Sequence, residues 1–204
     1  MISMKNILEK LIAKEYLTAS EAEKSLIEIT EGKHNDTIVS SFLTIFMMRT
    51  VSIDELNGFR NALLNLCVKI DLSDYDTIDL CGTGGDEKNT FNISTLSSFV
   101  TAGSGIKVAK HGNYGVSSNC GSSNVLEFLG INFSNNESFL KSCIDKAGIC
   151  FLHAPLFHPA MKNVASVRKN LRIKTFFNIL GPLVNPCLLY TSDAADEEDS
   201  VDLG

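Results

Sequence analysis

No stretch of about 18 apolar residues occurs in this 204-residue chain, and Lys5, Glu9, Lys10, Lys14 and Glu15 interrupt its first fifteen residues. Neither a membrane span nor a secretory leader is expected. CxxC pairs are also missing: the six cysteines, Cys67, Cys81, Cys120, Cys143, Cys150 and Cys187, lack both zinc-ribbon spacing and the density of a short disulfide scaffold. Reduced thiols in a cytoplasmic protein are the expectation. Nor is there an excess of bases. The net charge of -6 comes from Asp193, Asp196, Glu197, Glu198, Asp199 and Asp202; removing these six from the 24 acids leaves 18 against 18 bases. A neutral body of this kind does not present the basic stripe of a nucleic-acid binder.

Hydrophobic residues are 44% of the chain, enough to build a core against the entropy of ordering it. Up to residue 72 the pattern is helical. Ile7, Leu8, Leu11 and Ile12 share one helical face, and Thr18/Glu21 and Ser52/Glu55 have capping-box spacing. Helices are expected near 4–15, 19–31, 36–48 and 53–68. From Ser73 the pattern changes to short β-type runs (77–81, 106–109, 149–153) alternating with helical stretches (94–103, 122–129, 137–147), which predicts a parallel sheet. Helices near 158–171 and 174–180 follow, stopping at Gly181 and Pro182. The expected domains are therefore a helical one over 1–72, joined by helices near 158–182, and an α/β one over 73–157. Residues 187–204 read as a non-native or disordered acidic tail.

Chemistry concentrates in DLCGTGGDEKNTFNIST, Asp79 to Thr95, where a strand-like run meets three glycines, an acid, a polar loop and a Ser/Thr pair at a helix start. Glycines let backbone amides approach phosphate oxygens, and the first turn of a helix adds free amides and positive dipole. Hydroxyls of Thr83, Thr90, Ser94 and Thr95 suit a phosphate or a hydrated cation. The spacing is neither GxGxxG nor a P-loop. Taken alone, GTGG could equally be a tight turn with a capping serine. Lys110, after an apolar run, falls at the carboxyl end of its strand, the edge at which α/β sheets bind ligands. His153 and His158 lack a third residue at metal spacing and are secondary candidates.

GTGGD, NIST at 92–95, KHGN at 110–113, HPAMK at 158–162 and FNILGPLVNP at 177–186 stand in the order found in anthranilate phosphoribosyltransferases, which the chain resembles from about Leu8 to Pro186. The resemblance implies a small helical domain plus a mostly parallel-sheet α/β domain of the nucleoside phosphorylase/phosphoribosyltransferase type, incomplete here. It implies transfer of phosphoribosyl from 5-phosphoribosyl 1-diphosphate to anthranilate in tryptophan biosynthesis, with Mg2+ and a homodimer, and no nucleic-acid or membrane partner. Donor contacts fall on Gly82, Gly85, Asp86, Thr90, Asn92, Ile93, Ser94, Thr95, Lys110, His111, Gly112, Asn113, Tyr114, Gly115, Val116, Ser117, Ser118 and Ser122. Ser94 matches a magnesium contact. Anthranilate contacts fall on Gly82, Asn113 and Arg168, with His111, His153 and Pro182 near the acceptor channel, and no residue matches an acid/base or nucleophilic catalyst.

Departures accompany the match. Tyr114 and Lys174 stand where many members have arginine, and Asn124 where aspartate is frequent. The family's Asp-Glu pair for magnesium would lie beyond Pro186, so a chain of this extent is expected to be inactive, with an open sheet edge and exposed apolar surface. A related phosphoribosyltransferase or nucleoside phosphorylase with another acceptor, or a nucleic-acid-binding relative, remains the alternative.

Overall fold

A computed structural model describes residues 3–82, 91–115 and 120–187. Its helices are α1 (Met4–Ile12), α2 (Ala19–Thr30), α3 (Asp36–Met47), α4 (Ile53–Leu66), α5 (Ile93–Gly103), α6 (Ser122–Phe128), α7 (Glu137–Ala147), α8 (Ala154–Phe157), α9 (Lys162–Leu171) and α10 (Phe177–Leu180). Two strands, β1 (Val108–Gly112) and β2 (Ile149–His153), and 3-10 turns at Ser73–Tyr75, Pro159–Met161 and Gly181–Val184 complete the described elements. They gather into two compact units, Met1–Val68 with Phe157–Val184 and Lys69–Leu156 with Asn185–Gly204. No helix among the described residues is long and apolar enough to cross a membrane.

The helical unit begins each of its first four helices with a side-chain cap: Ser3, Thr18, Asn35 and Ser52 accept from the amide three residues on. Both expected capping boxes close reciprocally. Glu55 does more than cap. Fully buried, it accepts from the amides of Leu17 and Ser52, each at 2.9 Å, and pairs with Arg49, whose guanidinium lies over the rings of Tyr16 and Phe46. Burial opposes its charge, but the Arg49 guanidinium and the two amides outweigh burial and hold the carboxyl below its usual range. Around it Phe59 stacks on Phe176 at 4.3 Å, and Phe42 and Phe46 meet Phe59 edge-on.

In the α/β unit β1 and β2 run parallel, in register from Val108 opposite Ile149 to Gly112 opposite His153. α6 and α7 form the crossover between them, as parallel pairing requires. β1 lies two residues later than the run expected at 106–109, while β2 lies where it was expected. The strand expected over 77–81 is instead a single bridge, Ile78 to Val108. Side chains end the ladder there. The His111 amide donates to Asp79 Oδ1, the Leu80 carbonyl accepts from Lys110 Nζ, and the Ala109 carbonyl accepts from Asn185 Nδ2, so the groups that would extend pairing are already bonded. The exposed apolar surface expected of this unit is found on α5, where Ile93, Leu96 and Val100 form a stripe flanked by Phe91 and Ile106.

Two outcomes follow for the helical unit. At Gly58 on α4 an added Cβ would collide with the Ala19 carbonyl and stand 2.8 Å from Ala22 Cβ and 2.9 Å from the Glu23 amide, so Gly58→Ala should destabilise by about 1–3 kcal/mol in urea unfolding. His158 is buried, with Nε2 donating to the Val184 carbonyl at 2.9 Å, and burial lowers its pKa below the ordinary imidazole value. A lowered folded-state pKa means that stability is present above the unfolded pKa and lost as pH falls. Thermal midpoints measured from pH 7.5 down to pH 5 should therefore fall more steeply for the native chain than for His158→Gln.

Candidate active site

Asp79, at the carboxyl end of the bridged segment, is 8% exposed and accepts from the His111 amide (Oδ1, 3.0 Å), from Asn185 Nδ2 (Oδ2, 2.9 Å) and from the Leu80 amide. Burial pushes its pKa up to about 6 against these donors and the nearby Lys110 charge. Lys110 is itself 2% exposed, and its ammonium donates to the Leu80 carbonyl at 3.0 Å. Burial lowers its pKa. The lysine thus sits at the root of the glycine segment, with its charge fixed to that segment's backbone. Cys81 has its thiol pushed up to about 12, by burial and then by the Asp79 charge.

Gly82 follows immediately. A Cβ there would stand 2.6 Å from Ser94 Oγ and push that hydroxyl away from this backbone at the start of α5. That helix is capped by Asn92, not by a serine. Asn92 Oδ1 accepts from the Thr95 amide at 3.2 Å and from the Thr95 hydroxyl at 2.7 Å. Of the Ser/Thr pair, Thr95 is therefore buried and bonded to the cap, while Ser94 turns its hydroxyl toward Gly82. Ile93 opens α5 with its side chain 54% exposed. The Ser94 hydroxyl is a hard oxygen donor of the kind Mg2+ takes, and one protein ligand suffices when phosphate oxygens and water supply the others.

A second turn leaves β1. Gly112 packs against Ser122 Oγ, where a Cβ would collide, and the Asn113 carbonyl accepts from the Ser123 amide (3.1 Å) and Ser122 Oγ (3.3 Å). Asn124 Oδ1 accepts from the amides of both Gly115 (3.1 Å) and Gly121 (2.9 Å), pinning the ends of this turn together. Asparagine offers that oxygen as an aspartate would, which explains why the departure at 124 is tolerated. Tyr114 donates to Glu127 at 2.6 Å and meets the edge of His153, whose ring stacks on Phe133 at 4.2 Å. His153 Nδ1 lies 2.8 Å from Ser123 Oγ. Burial lowers its pKa, so the neutral ring is favoured.

Arg168 lies on α9 of the helical unit, and His158 and Pro182 belong to the same unit outside that helix. Its guanidinium lies 4.9 Å from the Phe177 ring centroid, burial lowers its pKa, and it forms no ion pair among the described residues. Gly85, Asp86, Thr90, Val116, Ser117 and Ser118 lie outside the described residues, as do Thr83 and residues 188–204. Sequence reasoning did not pick out Asp79, Ser123 or Asn185 as parts of this edge. For Asp79 a signal existed: an acid inside an apolar run must be hydrogen-bonded if it is buried.

Residues 74–192 match the a/b domain of a glycosyl transferase family, and residues 5–67 match that family's helical bundle domain. The anthranilate phosphoribosyltransferase of Flavobacterium johnsoniae is 69% identical over 90% of this chain and 56% of its own length. That of Bacteroides thetaiotaomicron is 52% identical over 91% and 56%. Among solved structures, the Thermus thermophilus anthranilate phosphoribosyltransferase superposes with TM-score 0.79 at 35% identity, covering 88% of this chain and 54% of that one. The Saccharomyces cerevisiae enzyme in complex with PRPP and Mg does so with TM-score 0.78 at 32% identity, covering 90% and 55%. The chain thus spans about half the length of the relatives it matches. With both domain types matched in order and the fold shared with solved relatives, this chain belongs to the glycosyl transferase family that joins a helical bundle domain to an a/b domain.

Proposed function

We propose that this chain carries the donor-loop half of an anthranilate phosphoribosyltransferase, which joins anthranilate to 5-phosphoribosyl 1-diphosphate and releases diphosphate. The observation that carries the reading is the close approach of Gly82 to Ser94 at the start of α5, which brings a hydroxyl and a helix N-terminus to the end of the glycine run, the chemistry that suits a diphosphate. Its relatives are named for this reaction, and the yeast one is solved in complex with PRPP and Mg.

Displacement of diphosphate from ribose C1 builds negative charge on the leaving group while the sugar becomes cationic. Amides of the glycine segment and α5 hold that negative charge, with Lys110 at the root of the segment biasing its potential. Bound Mg2+, taken by Ser94 and the diphosphate oxygens, would add Lewis-acid stabilisation of the leaving group. Asn113 and Arg168 are the acceptor contacts in this reading. A guanidinium that forms no ion pair among the described residues suits the anthranilate carboxylate, and a neutral amide leaves the amine free to attack. Orientation of that amine toward C1 supplies much of the acceleration. Assembly as a homodimer and a cytoplasmic location belong to the same proposal.

Calorimetric titration of the chain with 5-phosphoribosyl 1-diphosphate and Mg2+ should show saturable binding, weakened about tenfold or more by Gly82→Ala, since about 1.4 kcal/mol is tenfold in affinity. Arg168→Ala should leave that binding intact and lower anthranilate affinity by about 10- to 100-fold, the worth of one charged hydrogen bond of about 1.5–3 kcal/mol. In a longer form that includes the region present in its relatives, diphosphate release should require anthranilate. A folded protein of that length that released none would refute the assignment, and consumption of a purine or pyrimidine base in its place would redirect it.

A further inference from the structure

Asp79, Cys81 and His111 bring a carboxylate oxygen, a thiol sulfur and an imidazole nitrogen within 4.8 Å of one another, with Asp79 and His111 buried and Cys81 partly so. We propose that these three side chains form a binding site for a thiophilic divalent cation of the Zn2+ class, at the root of the glycine segment and separate in chemistry from any magnesium held through Ser94.

The ligand set decides the metal. Mg2+ and Ca2+ take oxygen alone, whereas a mixed sulfur, nitrogen and oxygen set is typical of Zn2+ and of the other late first-row divalent ions. Metal–ligand bonds of about 2.0–2.3 Å put the ligands of a tetrahedral ion roughly 3.3–3.8 Å apart, so closure from the observed spacing needs small side-chain movements. Two of the three ligands are already oriented. Asp79 is held by the His111 amide and by Asn185, the second-layer bonding that steadies a metal-ligating carboxylate, and His111 is fixed within β1 opposite Leu152. Cys81, whose thiol donates only a long 3.7 Å bond to the Gly82 carbonyl, is the ligand free to turn inward. Lys110, bonded to the Leu80 carbonyl, is a neighbouring cation the ion must tolerate, and a thiolate plus a carboxylate offset it. Three protein ligands leave a fourth position for water or a phosphate oxygen, the arrangement of an open site.

Co2+ replaces Zn2+ in such sites and reports a thiolate ligand through an ultraviolet charge-transfer band. Titration of the reduced chain with Co2+ should give this band saturating at one equivalent, with Zn2+ bleaching it. Cys81→Ser should abolish the band and His111→Gln should lose most of it, both variants keeping the far-ultraviolet dichroism of the native chain. Absence of a band in the native chain, or its persistence in Cys81→Ser, would overturn the site. If His111→Gln fails to fold, Cys81→Ser alone decides. No donor or acceptor is used, so the result is independent of the proposed transferase reaction.

Discussion

A buried carboxylate is costly unless donors surround it, and the α/β unit is arranged around one. Asp79 gathers the amides of Leu80 and His111 and the side chain of Asn185, thereby joining the segment before the glycines, the end of β1 and the segment after the last 3-10 turn. The same bonds stop strand pairing after Ile78. A strand that continued would carry Gly82 along the sheet; its early end leaves Gly82 to approach Ser94 at the start of α5. The site is thus a consequence of where the ladder is broken, and Asp79 breaks it.

The helical unit shows a parallel economy with a different purpose. Glu55 is equally sequestered, but a guanidinium and two amides keep it charged. Asp79 forms no ion pair among the described residues and has a raised pKa. Of the two buried acids among the described residues, the one compensated by Arg49 fixes the start of a helix, and the one compensated mainly by backbone and amide donors stands at the candidate site. That contrast is the sort by which perturbed groups mark function more often than matched pairs do.

Most helices were legible because caps and apolar spacing act locally: Thr18 with Glu21 and Ser52 with Glu55 announce their helices within four residues. β2 was legible for the same reason, a short apolar run after Gly148, whose φ of 69° ends α7. The segment at 77–81 was not, because its fate depends on Asn185 and Lys110, which no local window contains. Likewise Asn92 takes the cap from Ser94 by a matter of two residues, and only the packed position of Gly82 shows what that frees Ser94 to do. Tyr114 stands out in the sequence only as a departure from arginine; its partner Glu127, thirteen residues away, is invisible to any motif.

The helical core is built from two distant pieces of chain. Phe59 stacks on Phe176, and Arg60 Nε donates to the Leu183 carbonyl across 123 positions of sequence. On a ribosome, α1 to α4 emerge first yet cannot seal their aromatic cluster until residues beyond the whole intervening α/β segment have been made. For that interval the faces of Phe42, Phe46 and Phe59 await Phe176, and closing so long a loop is the slow, entropically costly step. Chain order therefore makes the earliest-synthesised helices among the last to finish folding, and places their period of greatest vulnerability to chaperones and proteases during synthesis itself.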